Sequence, residues 1–279
     1  MTTMDNRQVS EIITSLQNPR IKHLRVLQQK SAARRKEGLF VVEGYKELMQ
    51  CLDAGLQVDA LFYTPALMSS AAQELLLRVS SSRCFEVTPE VYDRMAYRGG
   101  TEGVIAQVEI PVRTLSGLTL GQHPLIVVVE QVEKPGNLGA ILRSADAAGA
   151  DAVVVCDELT DLYNPNLVRN SIGALFSVPC VSCSSDECIA FLKSKGIRIL
   201  TAQLQDSNLY YDTDMRVGIA LVMGTESTGL SDKWRRAADA HIRIPMLGKL
   251  DSLNVSVSTA ILLFEAVRQR TCAAETGNS

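Results

Sequence analysis

The order of apolar and polar positions divides the chain into short strands and helices that alternate almost without interruption. LFVVEG (39–44), VDALFYT (58–64), CFEV (84–87) and GVIAQVE (103–109) predict strands, with helices between them near 45–54, 68–80 and 89–96. Ahead of these, Asn18-Pro19 predicts a helix start, followed by Ile21, Leu24, Val26 and Leu27 on a basic helix, while residues 1–11 read as a loose tail. Pro111, Gly117, Gly121 and Pro124 break the periodicity over 110–124. They predict a linker between a first α/β domain, 12–109, and a second, 125–272, before a C-terminal tail, 273–279.

The second domain opens with LIVVVE (125–130), then a helix from about Leu138 to Ala148 closed by Gly149, then AVVVC (152–156). Apolar strands flanking a helix are the signature of a βαβ unit in a parallel sheet covered on both faces. A helix near 165–173, a strand near 178–182, a helix over 185–195 and the strand IRILTA (197–202) follow. VGIALVMG (217–224), SDKWRRAA (231–238), HIRIP (241–245) and a long helix from Val255 complete the pattern. The fold class is therefore α/β, and ligands in such sheets sit at the carboxyl ends of the strands.

Composition narrows the setting. With 46% hydrophobic and 21% charged residues the chain reads as globular. No apolar run approaches the roughly 20 residues a bilayer requires, and MTTMDNRQVSEI lacks the apolar centre of a signal peptide, so a cytoplasmic location is expected. Seven cysteines, an odd number, suit reduced thiols better than a disulfide framework. Cys180, Cys183 and Cys188 contain a CxxC pair, but no second pair follows and His23, His123 and His241 are far away in sequence, so no metal site is expected.

The net charge of −3 hides an uneven distribution. Residues 12–36 hold Arg20, Lys22, Arg25, Lys30, Arg34, Arg35 and Lys36 and no acid, leaving this segment at +7 and the remainder at −10. Such a run is either a solvated helix face or a phosphate-binding surface.

Three loops at strand ends carry candidate chemistry. In VEKPGNLGAILRSADAAG, Pro135 and Gly136 make a turn, Asn137 is a candidate cap, and Arg143 lies about one turn into the helix, positioned to reach back over an anion-favouring N-terminus. The spacing is not the GxGxxG of dinucleotide folds. GTESTGL (224–230) follows a wholly apolar strand and offers Glu226. IPMLGKLDSLNVSVSTAILLFEAVR (244–268) sets Gly248, Lys249, Asp251, Ser252 and Asn254 before the last helix, with Ser252 or Asn254 as its cap.

Taken in this order, PGNLGAILRSADAAG, LVMGTESTGLSD and IPMLGKLDSLNVSVSTAILLFEA resemble the three motifs of the SPOUT superfamily of RNA methyltransferases, in its SpoU or TrmH-like branch. RNSIGALFSVP (169–179) is similar to the segment the family places between the first two. NPRIKHLRVL and GLFVVEG resemble its small ribosomal-protein-like, RNA substrate-binding domain, so the resemblance covers most of residues 12–270. It departs at Lys134, where Asp or Asn is usual, and at Ser227, where glycine is common.

The resemblance implies a SPOUT domain with a C-terminal trefoil knot, a homodimer, and S-adenosyl-L-methionine as cofactor for methylating a ribose 2′-hydroxyl in rRNA or tRNA. It assigns cofactor contacts to Met223, Gly224, Thr225, Glu226 and Gly229 on the second loop and to Ile244, Met246, Ser252, Leu253 and Asn254 on the third. Catalytic roles fall to Arg143, Asn137, Glu226, Ser252 and Asn254. With an RNA substrate implied, Arg20, Lys22, Arg25, Arg34, Arg35 and Lys36 become candidate phosphate contacts. Two other function classes compete. One is a non-catalytic RNA-binding protein of the same fold, acting in ribosome assembly or protection, which intact Arg143, Glu226 and Asn254 disfavour. The other is an oxidoreductase, which the missing GxGxxG disfavours.

Overall fold

The structure is a computed structural model that describes residues 12–97, 102–225, 228–249 and 251–276. The chain folds as two compact units, 1–111 with 163–173, and 112–162 with 174–279.

In the first unit, α1 (Pro19–Gln29) begins where Asn18 accepts a hydrogen bond from the Arg20 amide at 2.9 Å and Pro19 fixes the first helical φ. α2 (Ser31–Glu37), β1 (Leu39–Glu43), α3 (Tyr45–Asp53), β2 (Val58–Tyr63), α4 (Ser70–Arg78), β3 (Cys84–Glu86), α5 (Pro89–Met95) and β4 (Val104–Glu109) follow. The strands form a mixed sheet in the order β1-β4-β2-β3, antiparallel except for the β2–β3 pair. Ile21, Leu24 and Leu27, on the apolar face of α1, share one core with Val41, Phe62 and Ile105.

The helix expected near 165–173 is shorter, α7 (Pro165–Asn170), and it belongs to this first unit. The Tyr163 ring packs on Phe40 with centroids 4.7 Å apart. Gly173 ends the excursion at φ +86°, a backbone conformation that favours glycine, and a Cβ there would also displace the Gln50 side chain.

The second unit contains β5 (Leu125–Glu130), α6 (Pro135–Ala147), β6 (Ala152–Cys156), α8 (Ala174–Ser177), β7 (Cys180–Cys183), α9 (Ser185–Ser194) and β8 (Arg198–Ala202). It continues with β9 (Asn208–Leu209), β10 (Ile219–Met223), α10 (Asp232–Ala237), β11 (Ala240–Arg243) and α11 (Val255–Thr276). Its seven strands run in the order β7-β6-β5-β10-β8-β11-β9, and every pair is parallel. β5, β6 and β10 are buried along their whole length, which is why they read as unbroken apolar runs. Trp234 of α10 is fully buried among Val128, Val154 and Val222.

The last helix extends through Thr276, into the segment read as a tail, because Ala273 and Ala274 favour helix. Arg270 ties it to the sheet by donating to the carbonyls of His123 (2.8 Å), Pro124 (3.3 Å), Met215 (3.0 Å) and Val217 (2.8 Å), around the starts of β5 and β10. Among the described residues, no helix is long and apolar enough to cross a membrane.

Candidate active site

Because the strands of the second unit are parallel, the carboxyl ends of β8, β10 and β11 share one edge of the sheet. The loop leaving β10 folds tightly on itself. The Thr225 amide donates to the Gly229 carbonyl at 3.2 Å and the Gly229 amide to the Thr225 carbonyl at 3.1 Å. Thr225 Oγ1 accepts from the Thr228 amide at 3.0 Å, and Gly229 has φ +69°. A Cβ on Gly224 would lie 2.3 Å from the Gly229 carbonyl carbon, so this turn requires glycine. Glu226 and Ser227 lie outside the described residues.

The third loop ends at Asn254, which caps α11. Its Oδ1 accepts from the Ser256 amide at 2.9 Å, and its carbonyl from the Ser258 amide at 3.0 Å. Its Nδ2 donates to Asn137 Oδ1 at 3.1 Å, joining the third loop to the first.

Asn137 is not the cap of α6. Pro135, with its fixed φ, starts that helix, Lys134 stands at the cap position, and Asn137 lies inside the first turn. The earlier start also changes the expectation for Arg143. It sits eight residues beyond Pro135, about 12 Å along the axis, too far to reach back over the helix N-terminus, and its side chain is exposed.

A cavity of about 410 Å³ opens between these loops. Met223, Gly224, Thr225 and Gly229 line it from the second loop, and Ile244, Met246, Ser252 and Leu253 from the third. Arg143, Asn137 and Asn254 do not line it. A pocket of this size, lined by apolar and polar residues alike, suits a small-molecule ligand that carries both kinds of surface.

Several lining residues escaped the sequence reading. Gln203, Leu204 and Gln205, just beyond β8, form one wall, and Arg235 and Arg243 add cations. The position of a strand's carboxyl end was the available signal for the first three. Gln203 donates through Nε2 to the Gln205 carbonyl at 3.0 Å. Its buried Oε1 has no hydrogen-bond partner among the described residues. A buried acceptor without a donor costs roughly 1–3 kcal/mol, which favours a ligand carrying an N–H or O–H at that point.

Glu130, fully sequestered at the end of β5, also went unread because it closes an apolar run. It accepts from the Ser231 amide at 2.8 Å, with Ser185 Oγ 3.3 Å away, and so pins the exit of the second loop.

The basic segment does not form one face. Lys22, Arg25, Arg35 and Lys36 are exposed, and Arg20, also exposed, lies over the Phe85 ring at 4.2 Å. Arg34 points inward. It is 2% exposed and donates to the Leu27 carbonyl at 2.5 Å and the Gln28 carbonyl at 3.2 Å. The helical turn that exposes Arg35 sends its neighbour into the core, so Arg34 is a structural cation and not a phosphate contact.

The SpoU rRNA methylase family matches residues 124–264, and an MRM3-like substrate-binding domain matches 18–106. The chain is 31% identical to the 23S rRNA (uridine(2479)-2′-O)-methyltransferase of Streptomyces viridochromogenes, over 92% of each chain. The chain belongs to the SpoU rRNA methylase family. Solved structures agree. An RNA 2′-O ribose methyltransferase superposes with a TM-score of 0.80 at 38% identity, covering 93% of this chain and 99% of the other. An AdoMet-bound rRNA methyltransferase from Sinorhizobium meliloti superposes with a TM-score of 0.85 at 30% identity, covering 92% and 97%. Membership makes the protein a methyltransferase, and its N-terminal unit contains the substrate-binding domain of this family's relatives.

Proposed function

We propose that the protein transfers a methyl group from S-adenosylmethionine to a ribose 2′-hydroxyl of ribosomal RNA. The observation that carries this reading is the cavity between the second and third loops, coupled to α6 by the Asn254–Asn137 hydrogen bond. The relatives named above support the ribosomal, 2′-O assignment.

The cavity's residues fit the cofactor. Met223, Ile244, Met246 and Leu253 offer apolar contact for an adenosine, and the Gln203 Oε1 awaits a donor such as an amine or a sugar hydroxyl. Gly224 and Gly229 bring no side chain to the cavity, and the Thr225 and Gly229 carbonyls, each accepting one hydrogen bond across the turn, keep a second lone pair for a ligand. Glu226 belongs to this proposed site through its place in the motif. S-adenosylmethionine, when bound, supplies an electrophilic methyl on a positive sulfonium. The protein must align the 2′-oxygen in line with it and accommodate loss of the 2′-proton.

Arg143 is the candidate for alignment. A guanidinium keeps its proton in proteins and is therefore a poor general base. The exposed Arg143 guanidinium instead serves as a fork that holds an RNA phosphate and the 2′-oxygen, leaving the proton to phosphate or water. Ser252 and Asn254, with Asn137 held by Asn254, orient the ribose. Exposed Arg20, Lys22, Arg25, Arg35 and Lys36 bind phosphates and position the RNA.

The trefoil knot and the homodimer belong to the same reading. The late strand β10 lies between β5 and β8, and α11 packs on both α6 and β10, an arrangement compatible with a tucked C-terminal segment. Val257 and Phe264, seven residues apart on α11, are 47% and 49% exposed, an apolar stripe for a second copy. Light scattering should report twice the chain mass, and a monomer at working concentration would remove the dimer from this account.

The activity is tested by transfer of labelled methyl from S-adenosylmethionine to size-fractionated RNA from a strain lacking the protein. Label should enter ribosomal RNA with the wild type and not with Arg143→Ala. No label in any fraction would favour a non-catalytic RNA-binding role.

A further inference from the structure

Three thiols converge at the edge of the seven-stranded sheet, away from the residues assigned to methyl transfer. Cys156 ends β6, Cys183 ends β7, and the two are register partners across the parallel pair. Cys188 lies near the start of α9, just after a capping box in which Ser184 and Glu187 exchange hydrogen bonds. The three Sγ atoms all lie within 4.8 Å of one another.

Sequence spacing concealed this group and pointed to another. Cys180 and Cys183 are three apart on one strand, so their side chains take opposite faces and the CxxC pair cannot converge. Cys156 replaces Cys180 because the parallel register brings the ends of β6 and β7 level.

We propose that Cys156, Cys183 and Cys188 bind one zinc ion. Tetrahedral zinc with Zn–S bonds of about 2.3 Å places its sulfurs about 3.8 Å apart, within the spread these three already have. Cys156 and Cys188 are fully buried, while Cys183 is partly exposed, which closes the inner side of the site and leaves an entry path on the outer one. A water or a carboxylate completes the fourth position there.

The surroundings favour a cation. Asp157 and Glu187, next to Cys156 and Cys188 in the chain, place two carboxylates beside the cluster. Ser185 donates to Asp157 Oδ2 at 2.6 Å and receives the Trp234 indole N–H at 3.0 Å, so the carboxylate beside the cluster is anchored to the core. On binding, each thiol that forms a Zn–S bond releases its proton to solvent, with no change of oxidation state. The ion would cross-link the edge strand β7, its neighbour β6 and helix α9. The competing account is three reduced thiols packed as small apolar groups.

The test uses the full chain, reduced and stripped with chelator. Titration with Cd(II) reads the thiolate-to-metal charge-transfer band, and native mass spectrometry after Zn(II) addition reads stoichiometry. One ion per chain is expected in the wild type and in Cys272→Ser, which removes an exposed thiol outside the cluster. Cys183→Ser, the least buried ligand, should bind more weakly by roughly 100-fold or more, beyond what loss of a second-shell partner costs. X-ray absorption on the zinc-loaded wild type should show three sulfurs at about 2.3 Å, a readout independent of how any variant folds. No stoichiometric ion in the wild type, a band indifferent to Cys183→Ser, or fewer than three sulfur ligands overturns the proposal. None of these readouts depends on methyl transfer.

Discussion

The two sheets of this protein leave room for chemistry in different places. In the seven-stranded sheet β5, β6 and β10 have no exposed position, so polar groups collect where the strands end, and the cavity opens there. The four-stranded sheet is mixed and partly open, with Asp59 on β2 and Glu109 on β4 at the surface, and its candidate RNA contacts sit on the helices before it. A small donor that must be aimed calls for backbone held by a packed scaffold. A polyanion needs only accumulated charge. The first kind of site should fail on a single atom and the second should fade charge by charge.

The largest effect is expected at the reacting group. Arg143→Ala should lower methyl transfer roughly 100-fold or more, the scale of lost alignment, while S-adenosylmethionine affinity measured by calorimetry stays unchanged, because Arg143 does not line the cavity. Arg143→Lys keeps the charge and loses the fork, so near-normal turnover in that variant would contradict the assignment. Next comes Gly224→Ala. Overpacking costs about 1–3 kcal/mol, which is roughly 5- to 150-fold in cofactor affinity, and RNA binding should persist.

Two adjacent arginines sharpen the contrast within the basic segment. Arg35→Ala should reduce the slope of log affinity for RNA against log salt by about 0.7–0.9, with unchanged stability. Arg34→Ala should instead lower unfolding stability by about 1–3 kcal/mol through the lost carbonyl contacts and leave the salt slope alone. The reverse outcome would return Arg34 to the RNA surface.

The smallest effect concerns acid stability. Hydrogen bonds from Arg216 hold the exposed Asp214 carboxyl at about 2, below its usual value of 3.8. Its stabilisation is therefore present above pH 4 and lost as pH falls toward 2, and solvent screening keeps it under about 1 kcal/mol. Arg216→Ala should remove this part of the pH dependence in chemical denaturation measured between pH 5 and 2. An unchanged profile would show that the pair contributes nothing.

How far the sequence is legible follows from which interactions are local. Strand limits such as LIVVVE and AVVVC were readable because burial on both faces writes itself as an unbroken apolar run. The start of α6 was misread by three residues because Asn137 looks like a cap, while Pro135 actually sets the first turn. Arg34 was misjudged because charge composition carries no information about helical phase. Glu130 and Cys156 stayed hidden for a common reason. Each gains its role from partners far along the chain, Glu130 from Ser231 and Cys156 from Cys183, which only the strand order brings together. The resemblance supplied the three motifs as a set, where residue chemistry alone left each loop ambiguous.

The central claim is that the methyl group arrives on a ribose oxygen, and alkali tests it most directly. A 2′-O-methyl group blocks the hydroxyl that attacks the neighbouring phosphate, so the RNA chain resists hydrolysis at that nucleotide. Ribosomal RNA labelled by the protein should, after complete alkaline digestion, yield its label in resistant dinucleotides. Label recovered in mononucleotides would place the methyl on a base and contradict the account.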